Sequence, residues 1–234
     1  MDIAVVVFVK TPGISPIKSR LAHTIGNDLA EKFFIESTQC LEKTLMSFQD
    51  SLLTPNIHLY YSVAEREGLI SPFWKSFNKI EQGPGGLGQK ISQSYSKLLK
   101  SYDGVVLLGG DLPHIDLSEF KRGLELITRG KDVIGPTEDG GFYFFGSSKE
   151  IPESEWASIQ YSSSDTCNSL IKKLNTLCDF EYLNYSFDID EYQDILKLKQ
   201  YKNKNLIPIQ EKFLAQLDQF ILKHREERSA SFSK

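Results

Sequence analysis

The chain has 234 residues, 40% hydrophobic and 25% charged, an ordinary globular composition with the length for one α/β domain and a sizeable core. A formal net charge of -4 argues against a general nucleic-acid or membrane-surface binder and leaves room for a local basic pocket. No apolar stretch approaches the ~20 residues that span a bilayer. Three cysteines (Cys40, Cys167, Cys178) without a C-x-x-C pair argue against a disulfide framework or a zinc site, and point to a reducing cytoplasm.

The first residues, MDIAVVVFVK, hold an apolar run with no basic segment before it and no small-residue cleavage site after it. They read as a first core strand over Ile3 to Val9, not as a signal peptide. Lys10 to Arg20, KTPGISPIKSR, is a loop by its prolines, glycine and serines. Lys10, Lys18 and Arg20 make it a cationic loop beside a strand end, where α/β proteins hold phosphate. It lacks the G-K-[ST] of a P-loop. The bland alternative is a solvated basic turn.

Asn27 opens a helix to about Phe48, with an apolar stripe of helical spacing through Leu29, Phe33, Leu41 and Leu45. Ile57 to Val63 reads as the second strand, in which His58 reads as a structural or surface histidine and not as a ligand. Ala64 to Phe77 holds helical pieces broken at Pro72, with Trp74 in packing. Glu81 to Gly88, EQGPGGLG, formally matches G-x-G-x-x-G. The match follows a poor strand candidate (Phe77 to Ile80) and contains Pro84, so it is not read as a dinucleotide fingerprint. A backbone that lets a flat ligand approach remains a use for it.

Lys90 to Lys100 reads as a helix. Val105 to Asp116, VVLLGGDLPHID, is the stretch around which the rest is arranged. Its near-continuous apolar run suits a strand covered on both faces. Gly109 and Gly110 remove bulk where that strand ends, and Asp111 follows. Ligands of open α/β sheets bind outside the carboxyl ends of the strands, which makes Asp111 a candidate metal or ligand acid. The alternative, capping of the helix over Leu117 to Arg129, is already served by Asp116 and Ser118.

Asp132 to Pro136 is a short strand. Glu138 and Asp139 then precede a Gly-Gly turn and the aromatic run Phe142 to Phe145, which reads as a hairpin and as a second acidic edge. Tyr161 to Ser164 offers hydroxyls at the start of a helix over Asp165 to Leu177, to cap it or to meet a ligand. Asp179 to Ser186 is the last strand. Asp188 and Asp190, two apart on extended backbone, point the same way, so one site can use both on a hard cation; the bland alternative is that Asp190 caps the helix that resumes over Glu191 to Leu198. Gln210 to Arg228 is a charged helix, and Ser229 to Lys234 reads as a disordered tail.

Strands alternating with helices predict a three-layer α/β fold, a mostly parallel sheet with helices on both faces. Cations (Lys18, Arg20) and acids (Asp111, Asp188, Asp190) at strand carboxyl ends suggest a metal–phosphate site. All-oxygen ligands suit Mg²⁺ or Mn²⁺.

The motif set VFVKTPGISPIKSRLAHTIG, EQGPGGLGQKIS, LLGGDLP, IGPTEDGGFYFFG, IQYSSSDTCNSL and FDIDEYQDI, in this order, resembles a bacterial family assigned provisionally as nucleotide-diphospho-sugar transferases (DUF2064-type glycosyltransferases). The resemblance covers about residues 3 to 198. It implies a glycosyltransferase-A-like fold, similar to the molybdenum-cofactor and 2-phospholactate guanylyltransferase families. The domain is expected over 1–205; residues 206–234, which the resemblance does not cover, read as a C-terminal helix and flexible tail. It implies phosphate binding by Lys18 and Arg20, a loop near the nucleobase at Gly85, Gly86 and Gly88, and a metal acid at Asp111. Glu138, Asp139 and Gly140 match an acceptor-side E-D-G-G, and Asp188 with Asp190 a D-x-D. Two departures stand out: Ser15-Pro16 where the family has Gly-Arg, and Tyr161-Ser162-Ser163 for Trp-Ser-Thr.

The leading expectation is therefore a metal-dependent glycosyl transfer from a nucleotide-diphospho-sugar to a small-molecule acceptor, with Asp111, Lys18 and Arg20 in the catalytic role and Lys10 among the phosphate-binding residues. Nucleotidyl transfer with pyrophosphate release is the first alternative, and a non-catalytic nucleotide-binding module the second. A dehydrogenase rests on the glycine pattern alone.

Overall fold

The computed structural model describes residues 1–51, 55–201 and 205–221. Its sheet has seven strands in the order β3-β2-β1-β4-β6-β5-β7. β1 (Asp2–Val9) lies between β2 (Asn56–Val63) and β4 (Gly104–Gly109), parallel to both, and β3 (Asn78–Glu81) extends the parallel side. β6 (Phe142–Ser147) runs antiparallel to β4 and to β5 (Asp132–Pro136), and β7 (Phe180–Tyr182) pairs parallel to β5.

The period of two along β1 sorts its side chains into two cores. Ile3, Val5 and Val7 face a cluster with Phe34, Leu41, Phe120 and Leu124, from α2 (Asn27–Ser51) and α4 (Leu117–Thr128). Ala4 and Val6 face the other, with Tyr95, Trp156 and Leu170 from α3 (Leu87–Leu99), α5 (Glu153–Ser158) and α6 (Thr166–Leu174). The mostly parallel three-layer expectation is met, with β6 as the antiparallel insertion.

A third cluster positions the site. Leu21 and Ile25 of α1 (Ser19–Ile25) pack with Phe33, with Phe187 and Ile189, and with Phe213, Leu217 and Phe220 around α8 (Pro208–Ala215). Each large apolar side chain so buried contributes about 1.5–3 kcal/mol. Phe187 and Ile189 are buried in this cluster, so the alternate residues Asp188 and Asp190 are aimed the other way. Gln210 of α8 is wholly buried and donates from Nε2 to the carbonyls of Pro113 and Ile115, 3.0 Å each. It thereby clasps the turn that follows Asp111.

Three local expectations are corrected. Residues 19–25 form a helix, where the loop was expected to run to Arg20 and no element followed it. The weak candidate near 77–80 is a true strand at the sheet edge. Residues 153–158 form a short helix that carries Trp156 into the core. Within the expected helix over Gln210 to Arg228, helix is present at 208–215 and 218–221; residues 222–234, including the expected tail, lie outside the described residues. No helix among the described residues is long and apolar enough to cross a membrane.

Candidate active site

The loop after β1 is tied down at its base. Thr11 N–H donates to Glu65 Oε2 at 2.9 Å, and Trp74 Nε1 donates to Thr11 Oγ1 at 3.1 Å. The loop ends at Lys18, which precedes α1 with φ 46° and ψ 51°. That is the left-handed region, which costs a residue with a Cβ about 1–2 kcal/mol. Such conformations persist where their surroundings impose them, often at functional sites.

From this position the Lys18 side chain turns inward, with 6% of it exposed. Its Nζ lies 2.5 Å from Asp111 Oδ2 and 2.9 Å from Asp190 Oδ1. Asp111 and Asp190, 79 residues apart in the chain, therefore converge on one ammonium group. Arg20, mostly exposed, adds Nη1 at 3.6 Å from Asp190 Oδ2. Neither acid is spent on capping. Asp116 caps α4, accepting from Ser118 N and Glu119 N, and Asp194 accepts the backbone N–H groups of Asp190 and Glu191 before α7 (Tyr192–Gln200).

Electrostatics separate the acids. Burial, followed by the nearby negative charge of Asp111, pushes the Asp188 carboxyl up to about 7, against some relief from Lys18. Burial also raises Asp190, but Lys18 and Arg20 overcome it and hold that carboxyl below its ordinary range. Burial alone would lower Lys18; Asp111 and Asp190 outweigh it and keep the ammonium protonated. Because the folded state holds a proton on Asp188 that the unfolded state releases, the Asp188 contribution to the stability of the metal-free protein should be lost as pH rises from about 4 to about 7. Burial holds His114 down to about 3, which acts in the opposite sense over much of that range, so the Asp188 contribution is read as the difference between wild type and Asp188→Asn: denaturant unfolding in chelator should show that difference fall as pH rises from about 4 to about 7.

The site residues fit a hard divalent cation in chemistry. Asp111 Oδ1 and Asp188 Oδ1 are buried with no hydrogen-bond partner among the described residues. Unsatisfied buried carboxylate oxygens are the donors that Mg²⁺ and Mn²⁺ take. Among the described residues no group of three or more His, Cys, Asp or Glu is arranged to hold a metal ion. The Lys18 ammonium already lies between Asp111 and Asp190.

Two cavities meet at this cluster and share Phe8, Arg20, Leu87 and Asp190. The first, about 440 Å³, has Lys10, Lys18, Arg20 and Lys90 in its wall with Asp111 and Asp190. The second, about 480 Å³, has an apolar floor from Leu107 and Phe142 and is rimmed by Ser162, Ser163 and Ser164 with Asp139 and Asp188. Both are of the size of small-ligand sites.

Other candidate residues have local duties. Asp139 Oδ1 accepts from Thr137 Oγ1 at 2.5 Å and from Gly141 N at 3.1 Å, fixing the hairpin turn while lining the second cavity. Glu138 pairs with Lys197 in an adjoining cleft. Gly140 has φ +89°, and its carbonyl accepts from Cys167 N at 2.8 Å. Gly85, Gly86 and Gly88 line neither of the two cavities; Leu87, from the same turn, lines both. Gly86 N–H donates to Gln89 Oε1 at 3.1 Å, and Gly88 lets α3 pack on α5, since a Cβ there would come within 2.3 Å of the Trp156 carbonyl. Lys90 escaped the sequence reading; its signal was a cation in the first turn of the helix that follows the glycine loop.

The mostly parallel seven-stranded α/β fold is shared with solved structures of the nucleotide-diphospho-sugar transferase type. A structure from Desulfovibrio desulfuricans, provisionally described as a nucleotide-diphospho-sugar transferase, superposes with a TM-score of 0.76 at 21% identity, covering 95% of this chain and 97% of that one. The family profile described as "Uncharacterized protein conserved in bacteria (DUF2064)" matches residues 51–163, so the resemblance carried by the motifs is borne out there. The 4-diphosphocytidyl-2C-methyl-D-erythritol synthase of Anaerococcus prevotii superposes with a TM-score of 0.54 at 12% identity, over 83% of this chain and 95% of that one. Rv0371C of Mycobacterium tuberculosis, in complex with manganese, gives 0.50 at 11% identity, over 84% and 96%. No curated protein matches the chain.

Proposed function

We propose that this protein is a metal-dependent transferase that takes a nucleotide-diphospho-sugar and passes its glycosyl group to a small-molecule acceptor. The observation that carries this reading is the charge asymmetry of the two cavities. Four cations line the first and suit a diphosphate. The second offers three carboxylates, Asp139, Asp188 and Asp190, a row of serines, and one cation, Arg20, that the first cavity shares. A phosphorylated acceptor, the substrate of nucleotidyl transfer to a sugar phosphate, would need cations of its own. A hydroxylated acceptor without phosphate fits the serines and acids better.

Lys10, Lys18 and Arg20 would hold the diphosphate of the donor, with Lys90 lining the same cavity. Ser162 to Ser164 and Asp139 would orient the acceptor hydroxyl against the glycosyl carbon. As the new bond to that carbon forms, the acceptor hydroxyl would give up its proton to the Asp139 carboxylate that orients it, the carbon's bond to the diphosphate oxygen breaks, and Lys18 and Arg20 stabilise the charge that collects on the departing group. Mg²⁺ or Mn²⁺ held by Asp111 with Asp188 or Asp190 would supply further charge neutralisation. A divalent cofactor, a nucleotide-activated donor and a cytoplasmic setting belong to this same reading.

Incubation with Mn²⁺ and a panel of nucleotide-sugars should release nucleoside diphosphate and form no pyrophosphate from nucleoside triphosphates offered with sugar phosphates. Pyrophosphate release in the second arm would replace the reading with nucleotidyl transfer. Nucleotide binding without turnover in either arm would leave a binding module.

A further inference from the structure

The Lys18 ammonium stands where a divalent cation shared by Asp111 and Asp190 would have to go. It makes a short contact to one oxygen of each, across 172 residues of chain in the case of Asp190. Lys18 is carried there by a left-handed backbone that a lysine does not choose unaided. The cluster still has acceptor capacity left over, at Asp111 Oδ1 and Asp188 Oδ1. Three acids against one buried ammonium and one exposed guanidinium leave room for more positive charge. A divalent ion cannot simply be added, because two cations a few ångströms apart in a partly buried site repel strongly. Arg20 raises no such obstacle: it is 67% exposed and reaches only the outer oxygen of Asp190.

Lys18 also lines the cationic cavity, so an incoming diphosphate offers it new partners within reach. We infer that Lys18 is an exchangeable resident cation. It neutralises Asp111 and Asp190 in the metal-free protein, transfers to the diphosphate when donor arrives, and in leaving opens the two carboxylates to the divalent ion. Metal and diphosphate then bind synergistically, and by linkage each raises the affinity of the other by the same factor. The inference rests on the metal–diphosphate reading of this site, and two arms separate their failures.

The first arm needs no nucleotide. Mn²⁺ is titrated by electron paramagnetic resonance into the wild type, Lys18→Met and Lys18→Arg. Lys18→Met should bind Mn²⁺ roughly tenfold more tightly or better, within the usual span of coupling between sites, and Lys18→Arg should bind no more tightly than the wild type. Equal affinity in wild type and Lys18→Met would overturn the inference. The second arm uses the wild type, so it decides the matter if Lys18→Met fails to fold. Mn²⁺ alone should leave the melting temperature unchanged, and Mn²⁺ with inorganic pyrophosphate should raise it by more than the separate shifts together. Additive shifts, or a full shift with Mn²⁺ alone, would count against Lys18 as gatekeeper. If pyrophosphate does not bind at all, the diphosphate reading fails and the first arm still decides the role of Lys18.

Discussion

Asp111→Asn is expected to lower transferase turnover about 10²–10³-fold, the usual cost of removing one preorganised charge from a reacting centre, while leaving the fold in place. The residue follows directly on β4, and Gly110 beside it lets the chain pass close to β1, where a Cβ would come within 2.7 Å of the Phe8 carbonyl. The backbone that presents Asp111 is thus set by β1 and β4 and, through Gln210, by α8, not by its carboxylate. Asparagine keeps an oxygen that can accept from Lys18, and Lys18 keeps Asp190. What is lost is the negative charge that a divalent ion needs. Steady-state kinetics should show the fall in kcat, with the melting temperature within a few degrees of wild type. Wild-type turnover in Asp111→Asn would remove the residue from the reaction.

Gly140→Ala is expected to destabilise the protein by about 2–4 kcal/mol, summing left-handed strain and overpacking, and to weaken the proposed acceptor cavity selectively. With φ +89°, the backbone there already disfavours a side chain. A Cβ would also fall 1.9 Å from the Ser164 carbonyl oxygen and 2.4 Å from its carbon, and both are backbone atoms that cannot swing aside. The hairpin tip and the serine loop must then separate, straining the bond from Cys167 N to the Gly140 carbonyl. Since Ser162 to Ser164 form the rim of the second cavity, KM for acceptor should rise while nucleotide affinity holds. Gly86→Ala is the control: a Cβ there meets nothing within 4 Å, and its backbone is extended. Denaturant unfolding of the two variants should differ by most of the predicted amount. Equal stabilities would mean that the tip and the serine loop are not packed as described.

The convergence of acids was legible because it follows from local rules. Asp111 comes after a buried run and two glycines, with Asp116 on hand to cap the next helix, so the first acid was free for other work. Asp188 and Asp190 alternate with Phe187 and Ile189, and once the aromatic and the isoleucine are buried the carboxylates must face away. The elements that escaped are those whose stability comes from distant packing. α1 has no side-chain cap and only Leu21 and Ile25 buried, and it is held by Phe33 and by the segment around Ile189. β3 buries one residue of its four and is a strand because β2 pairs with it. Gly88 looked like a ligand-approach glycine, but its neighbour is Trp156, 68 positions on, and no spacing rule announces that contact. The pairing of Lys18 with Asp111 and Asp190 was hidden for the same reason: sequence places a cation and an acid at neighbouring strand ends, and only the packed loop decides that they touch.

The most direct measurement is the anomalous diffraction of Mn²⁺ in crystals grown with a nucleoside diphosphate. The expected map has one ion bonded to Asp111 and to Asp188 or Asp190 at roughly 2.0–2.6 Å, with Lys18 Nζ moved onto a phosphate oxygen and Arg20 beside it. An ion bound away from all three carboxylates, or a diphosphate lodged outside the loop of residues 10–20, would contradict the assignment of this cluster as the reacting centre.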